Sequence, residues 1–451
     1  MTGGTSLLHG AVLVMFLAPA SLLGLLAIPS LLRRPPQERV VASATRIAMV
    51  VAFAAALLAL ATYLAAGTGP QVLSYGAWFS LGTGRFAFDF LVDGRSLGFA
   101  VLSTGICGVV AAFSRRYLHL EAGFNRYFVQ FAMFVLGITL VALAGSIEVL
   151  FAGWELIGLS SALLVGFFHE RRAPVVNALR VFAVYRVSDA AMLGAAVLLH
   201  HWAGSGSLSL LFSGQGQAEL ALHGNQAVAI ALLLLGAVAG KSALLPFSGW
   251  LPRAMEGPTP SSAVYYGALS IHAGCLLLLR AEPLLAQSPA ARVVAALLGA
   301  ATALYATLTA RVQSDVKSAL AYASLTQVGI IIVEIALGLT GVAFIHMLGH
   351  ACFRVLQFLS APNVLHDLHE LENLVGGHIG QGSHGALAAR PSRRAGTLYL
   401  VALERGFVDA LIDRAIVAPF YGLVGRLDRL DRWLSGGGGA DGPDSDSEGT
   451  P

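Results

Sequence analysis

The chain has 451 residues, of which 56% are apolar and 12% charged, and its mean hydropathy is +0.73. Soluble domains carry about twice that charge fraction, so the composition excludes an ordinary soluble protein. A formal net charge of +3 gives no sign of nucleic-acid binding, and the three cysteines, Cys107, Cys275 and Cys352, stand singly in apolar segments without ligand spacing, implying neither a disulfide nor a metal site.

Apolar runs long enough to cross a bilayer as helices recur from the N-terminus to about residue 361. The spans read as 8–31, 43–66, 96–114, 127–145, 147–168, 177–200, 226–250, 260–280, 290–311, 318–338 and 341–361. The expected fold is therefore all-α: a polytopic membrane protein with about eleven transmembrane helices. The strands of a membrane barrel would instead show as short alternating segments. The first span has no basic residue before it and no clear cleavage site, so it reads as a membrane helix and not as a signal peptide.

Basic residues alternate between the connections. Arg33, Arg34, Arg39 and Arg46 follow span one, Arg115, Arg116 and Arg126 follow span three, and Arg171 and Arg172 follow span five. Arg253, then Arg311 with Lys317, then Arg390, Arg393 and Arg394 follow spans seven, nine and eleven. The other connections hold only Arg85, Arg95, Arg280 and Arg292. The positive-inside rule then puts the N-terminus outside and the chain after span eleven in the cytoplasm, as expected for an inner-membrane protein of a prokaryote.

Five regions follow from this texture: N-terminal helices and an external loop (1–95), a transporter-like helical module (96–362), a His- and Gly-bearing cytoplasmic linker (363–395), an amphipathic segment (396–434) and a Gly-rich acidic tail (435–451). In the amphipathic segment apolar residues recur at helical spacing between Arg and Asp, which suits an interfacial helix and equally a short helix docked on a partner. The tail composition predicts disorder.

The chemistry lies in charges inside the spans. Lys241 ends a run with no other charge in the 15 residues before it, and only two of the 28 basic residues are lysines. A charge within an apolar span costs several kcal/mol and usually marks an ion path. Glu155 lies at the heart of span five, Arg180, Arg186 and Asp189 in span six, and His346, His350 and Arg354 in span eleven. Arg186 and Asp189 are three apart and share a helix face, where mutual neutralisation could serve packing as well as function. His346, His350 and Arg354, at i, i+4 and i+8, form one polar stripe. Gly236, Gly240 and Pro246 flank Lys241, and the run PRAMEGPTPSS before span eight is weakly helical, so span seven is expected to be broken.

The runs FAGWELIGLSSALLVGF, NALRVFAVYRVSDA, AGKSALLPFSGWLPRAMEGPTPSSA, SDVKSALAYASLTQVG and FIHMLGHACFRVLQFLSAPNVLHD resemble, in order, the antiporter-like proton-pumping subunits of complex I, above all subunit L (mitochondrial subunit 5). The resemblance covers roughly residues 85 to 370, and the stretch GFVDALIDRAIVAPFYGLVGRLDRLDRW resembles that subunit's end region. It implies that Glu155 pairs with Lys241 and modulates its proton affinity, that Asp189 matches the aspartate of the neighbouring helix, and that His346 and His350 carry protons along a central hydrophilic axis. It further implies that no cofactor is bound by this chain, with quinone, NADH and iron–sulfur clusters confined to partner subunits.

Three departures accompany the resemblance. Tyr266 stands where the family usually has a histidine, although His272 follows six residues later; Arg354 stands where lysine is common, and arginine effectively cannot release its proton. The family usually continues beyond span eleven into a second broken helix, so the second of its inverted repeats would be cut short here. Two functions fit: the proton-translocating subunit of a complex I-like assembly, or the energy-coupling subunit of an inorganic-carbon uptake system with a large soluble zinc-bearing partner, or of an Mrp-type cation/proton antiporter. A degenerate scaffolding paralogue is disfavoured by the intact Glu155, Asp189 and Lys241.

Overall fold

The computed structural model describes residues 2–81, 84–208, 222, 224–313, 315–375, 399–400, 402–403 and 408–434. Eleven of its helices are long and apolar enough to cross a membrane. They are α1 (Thr2–Leu31), α2 (Glu38–Ala66), α3 (Gly94–Tyr117), α4 (Phe124–Leu143), α5 (Ile147–Val165), α6 (Arg172–Ala203), α7 (Gly224–Lys241), α8 (Thr259–Arg280), α9 (Pro289–Ala310), α10 (Val316–Ala336) and α11 (Thr340–Val375). A twelfth helix, α12 (408–434), is amphipathic. The chain is thus an all-α polytopic membrane protein, with the spans where hydropathy put them. Helix α11 continues to Val375, past the expected start of the linker at residue 363; the rest of that linker and the tail 435–451 lie outside the described residues.

Helix boundaries follow local chemistry. Asp93 caps α3 in a reciprocal box: its carboxylate accepts from Ser96 N at 2.6 Å while Ser96 Oγ accepts from Asp93 N at 2.8 Å. Ser146 caps α5 and Asp315 caps α10 through the backbone N–H three residues on. Glycines set the closest crossings: a Cβ on Gly137 would lie 2.9 Å from Gly153 O, so α4 and α5 touch backbone to backbone, and Gly299 and Gly329 bring α9 and α10 together in the same way.

One element went unanticipated. Strands β1 (Gln71–Leu81) and β2 (Gly84–Val92) form an antiparallel hairpin between α2 and α3, from Gln71 opposite Val92 to Leu81 opposite Gly84, with the register shifting between Ser74 and Ala77 and between Ala77 and Phe79. Phe86, Phe88 and Phe90 alternate along β2, and the Phe88 and Phe90 rings pack 5.5 and 5.7 Å from Phe16 of α1. That period-2 run is a half-buried strand signal that hydropathy windows do not see.

Every residue of α8 is buried, which makes it the central post of the bundle, whereas α9 exposes Val293, Leu297 and Leu304 at its edge. The chain breaks just before α8. Helix α7 ends at Lys241, Ala243 takes a positive φ of 56°, and Pro246 supplies no N–H. Short helical turns at Phe247–Gly249, Trp250–Arg253 and Ala254–Glu256 lead to α8, whose Ser262–Leu269 portion is π-helical. The freed backbone groups find side chains: Trp250 Nε1 donates to Gly240 O at 2.9 Å, and Leu245 N donates to Thr302 Oγ1 at 3.1 Å.

Candidate functional site

The break leaves Lys241 at the C-terminal end of α7, fully buried. Its ammonium donates to Trp154 O at 3.0 Å and sits 4.8 and 4.5 Å from the ring centroids of Trp154 and Tyr185. Cation–π contact and one charge-assisted hydrogen bond thus replace its water shell. Two glycines make the room: a Cβ on Gly158 of α5 would come 3.0 Å from Nζ, and one on Gly240 would come 2.3 Å from Ser188 Cβ.

The carboxylates are close by but differently partnered. Arg186 reaches Glu155 Oε2 and Asp189 Oδ2, both at 2.7 Å, and lies 4.7 Å from the centroid of Phe182. Asp189 Oδ1 accepts from Trp154 Nε1 at 2.9 Å. The Arg186–Asp189 pair read from the sequence is therefore formed. Glu155, expected to pair with Lys241, is held by Arg186 instead, and among the described residues no carboxylate makes an ion pair with Lys241. Trp154 joins the two halves, its carbonyl on the lysine and its indole on the aspartate.

From the lysine a chain of hydroxyls leads inward. Tyr185, beneath the ammonium, lies 3.2 Å by its OH from Ser161 Oγ, which lies 2.9 Å from Tyr266 OH. Tyr266, in the family's histidine position, is thus linked towards Lys241 through Ser161. Farther along α8, His272 Nε2 stands 3.0 Å from His350 Nδ1, and Arg354 Nε donates to His350 Nε2 at 3.0 Å. Arginine can only donate, so His350 Nε2 accepts, its Nδ1 carries the proton, and that proton points at His272 Nε2. His272 then bonds the Ala268 carbonyl through Nδ1. Arg354 Nη1 also donates to Gln357 Oε1 at 2.6 Å, so this guanidinium fixes a tautomer and, keeping its own proton, relays none.

His346 points elsewhere. Its Nδ1 lies 3.0 and 3.1 Å from the Glu334 carboxylate oxygens and its Nε2 lies 3.0 Å from Gln327 Oε1, both on α10. Its ring centroid is 6.4 Å from that of His350, without a hydrogen bond. The stripe therefore divides: His350 and Arg354 join His272 in the core, while His346 faces α10. Lys241, Asp189, Tyr266, His272, His350 and Arg354 are buried, whereas Glu155, Arg186 and His346 are half-buried at the flanks. Glu334 and Gln327, with Trp154, Ser161 and Tyr185, are site residues that sequence reasoning missed. Glu334, a lone carboxylate in an apolar span, carried the signal that singled out Glu155. Among the described residues no group of three or more His, Cys, Asp or Glu side chains could hold a metal ion.

Helix α12 docks beside the break. Asp409 Oδ2 accepts from Arg253 at 2.8 Å, Arg180 reaches Asp413 at 2.5 Å and Asp409 at 4.0 Å, and Tyr421 OH donates to Val176 O at 2.9 Å. The last turns of α12 leave Leu427, Leu430 and Trp433 exposed.

Residues 144–376 match the family described as NADH:quinone oxidoreductase/Mrp antiporter, transmembrane, and residues 78–128 match the NADH-ubiquinone oxidoreductase (complex I) chain 5 N-terminus. The chain belongs to the NADH:quinone oxidoreductase/Mrp antiporter family. It is 31% identical over 297 residues to NADH-quinone oxidoreductase subunit L of Escherichia coli (strain K12), covering 66% of this chain and 48% of that one. It is 30% identical over 308 residues to NADH-ubiquinone oxidoreductase chain 5 of Halichoerus grypus, covering 67% and 49%. A solved structure of an Mrp complex from Dietzia sp. DQ12-45-1b superposes with a TM-score of 0.66 at 28% identity, over 80% of this chain and 38% of that one. The chain spans about half the length of the curated relatives it matches. Lys241, the break and both clusters lie inside the matched antiporter-family region.

Proposed function

We propose that this protein is the proton-translocating membrane subunit of a complex I-like NADH/quinone oxidoreductase, moving protons through Lys241 and the His272–His350 pair while electrons flow in other subunits. The observation that carries the reading is the setting of Lys241: a fully buried ammonium at the broken end of α7, on the Trp154 carbonyl, between the Glu155–Arg186–Asp189 cluster and the Tyr185–Ser161–Tyr266 chain. In this reading Lys241 is the proton carrier, Glu155 and Asp189 are its alternative partners, and Arg186 holds their charge while the lysine is on Trp154. His272 and His350 pass a proton along their shared hydrogen bond, with Arg354 orienting His350. His346 with Glu334 exchanges protons at the flank. Quinone, NADH and iron–sulfur clusters belong to partner subunits, which include other membrane subunits of the assembly. The chain sits in the inner membrane of a prokaryote, its N-terminus outside and α12 on the cytoplasmic side.

A second reading, the coupling subunit of an Mrp-type antiporter or of an inorganic-carbon uptake system with a soluble zinc-bearing partner, draws support from the Mrp complex likeness. The two separate on mild purification of the tagged chain. Recovery of quinone-site and iron–sulfur subunits supports the respiratory reading; one large soluble zinc protein, or Mrp-type membrane subunits, overturns it. For the site itself, Lys241→Met is expected to abolish coupled proton movement in proteoliposomes of the purified assembly while leaving its subunit composition intact. Wild-type coupling in that variant removes Lys241 from the mechanism.

A further inference from the structure

Helices α2, α3 and α11 leave between them a cleft of about 1080 Å³, slightly above the roughly 300–1,000 Å³ usual for ligand sites. The space exists because α3 turns Gly105 and Gly108 to it, where larger side chains would meet Phe53 and Met49 of α2. Its walls are apolar, from Met49, Phe53, Val109, Leu356 and Leu359, and Val109 and Leu356 are exposed, so the cleft opens sideways on the outer face of the bundle. Its composition changes at one end, where Arg46, Arg115 and Arg116 line it. Among the described residues none of these guanidinium groups pairs with a carboxylate. A second cavity of about 450 Å³ adjoins through Arg115 and Arg116 and adds Arg39. Glu38 also lines it, with its carboxylate 2.9 Å from Nδ1 of His119 in the same lining and accepting from Leu120 N at 3.2 Å.

An apolar cleft joined end to end with a basic, headgroup-sized pocket has the shape and charge of an amphiphile. We infer that this cleft binds an anionic glycerophospholipid, acyl chains between α2, α3 and α11 and phosphate on Arg46, Arg115 and Arg116. Basic pockets between membrane helices recognise such headgroups, and Arg46, Arg115 and Arg116 with the adjoining Arg39, none paired with a carboxylate among the described residues, favour a lipid anion over a zwitterionic lipid. A partner's transmembrane helix would fill the apolar part but would leave the basic pocket without an anion.

The test uses the purified full-length chain with its co-assembling subunits in proteoliposomes carrying traces of phosphatidylglycerol or phosphatidylcholine, each with a photoreactive acyl chain. With each arginine contributing about a fivefold preference, phosphatidylglycerol should label peptides of α2, α3 and α11 at least about tenfold more than phosphatidylcholine. Arg46→Gln/Arg115→Gln/Arg116→Gln should bring that ratio close to one, whereas Arg33→Gln/Arg34→Gln, outside the cleft, should leave it unchanged. Should the triple variant not be recovered, Arg115→Gln and Arg116→Gln singly should each lower the ratio. Equal labelling by the two lipids in wild-type protein overturns the proposal, as does a protein cross-link from a co-assembled subunit in place of lipid.

Discussion

Gly158→Ala tests the lysine site without touching an ionisable group. The added methyl would stand 3.0 Å from Lys241 Nζ and 3.5 Å from Tyr185 Cδ2. Comfortable contact needs about 3.5–4.0 Å, so the ammonium must retreat by about 0.5–1 Å. That retreat stretches its 3.0 Å bond to Trp154 O beyond useful length. A hydrogen bond to a charged group is worth about 1.5–3 kcal/mol, while glycine to alanine within a helix returns about 0.5–1 kcal/mol. The net cost to folding is therefore about 1–2 kcal/mol, small enough for the protein to assemble. If proton transfer depends on the ammonium occupying this position, the same loss slows turnover about tenfold. The assay is proton uptake by proteoliposomes of the assembled complex, with thermal stability measured in parallel. Gly194→Ala is the control, because its methyl would meet only Leu233, at 3.7–3.8 Å. Turnover unchanged in Gly158→Ala, or depressed equally in Gly194→Ala, refutes the reasoning.

Three further outcomes are expected. Glu334→Gln removes the carboxylate from His346, a loss of about 1.5–3 kcal/mol at that pair, and should lower proton turnover several-fold with assembly intact; an undiminished rate would place His346 outside the path. Asp409→Asn weakens the tie between α12 and Arg253 by about 1–2 kcal/mol, so amides of 408–412 should exchange about tenfold faster by mass spectrometry, and unchanged exchange would show that Asp413 and Tyr421 hold the helix alone. Gly153→Ala pushes a Cβ to 2.7 Å from Gly137 O and should cost about 1–3 kcal/mol through overpacking, seen as a lower melting temperature in detergent; an unchanged melt would mean that α4 and α5 part easily.

The spans were legible because a bilayer crossing needs a long apolar run, and each run here is bounded by arginines or turn residues. The break was legible for a local reason too, since Gly240 and Pro246 bracket Lys241 within seven residues of sequence. The hairpin was not, although Phe86, Phe88 and Phe90 alternate, because a window tuned to helices averages that alternation away. Pairings were less legible than residues. Which cation holds Glu155 depends on the rotation of α6 against α5, and sequence spacing fixes neither. Nothing local says that the backbone carbonyl of Trp154 takes the ammonium. The contact between Asp409 and Arg253 joins residues 156 apart, beyond the reach of any periodicity.

The arrangement around Trp154 bears on how such a site could be driven. With Lys241 on the carbonyl and Arg186 beside both carboxylates, each charge has a polar or charged neighbour, although Glu155 Oε1 and Arg186 Nε are buried without a hydrogen bond. Transferring Lys241 to Glu155 or Asp189 exchanges one charge-assisted bond for another, so its cost is set by what Arg186 gives up. Arginine keeps its proton throughout, which suits it to hold the carboxylates while the lysine is away. The Arg186 side chain is 35% exposed at the flank of the site, although its Nε and Nη2 are buried. It stands on α6, six residues after Arg180, where α12 is tied through Asp413, and one turn after Phe182, which packs against Phe420 of α12 at 6.0 Å. A small shift of α6 would therefore act on the lysine's partners and on the α12 contact together. If coupling works this way, cross-linking α12 to α6 should suppress proton movement while leaving the Lys241 site intact, and full turnover in the cross-linked protein would separate the two.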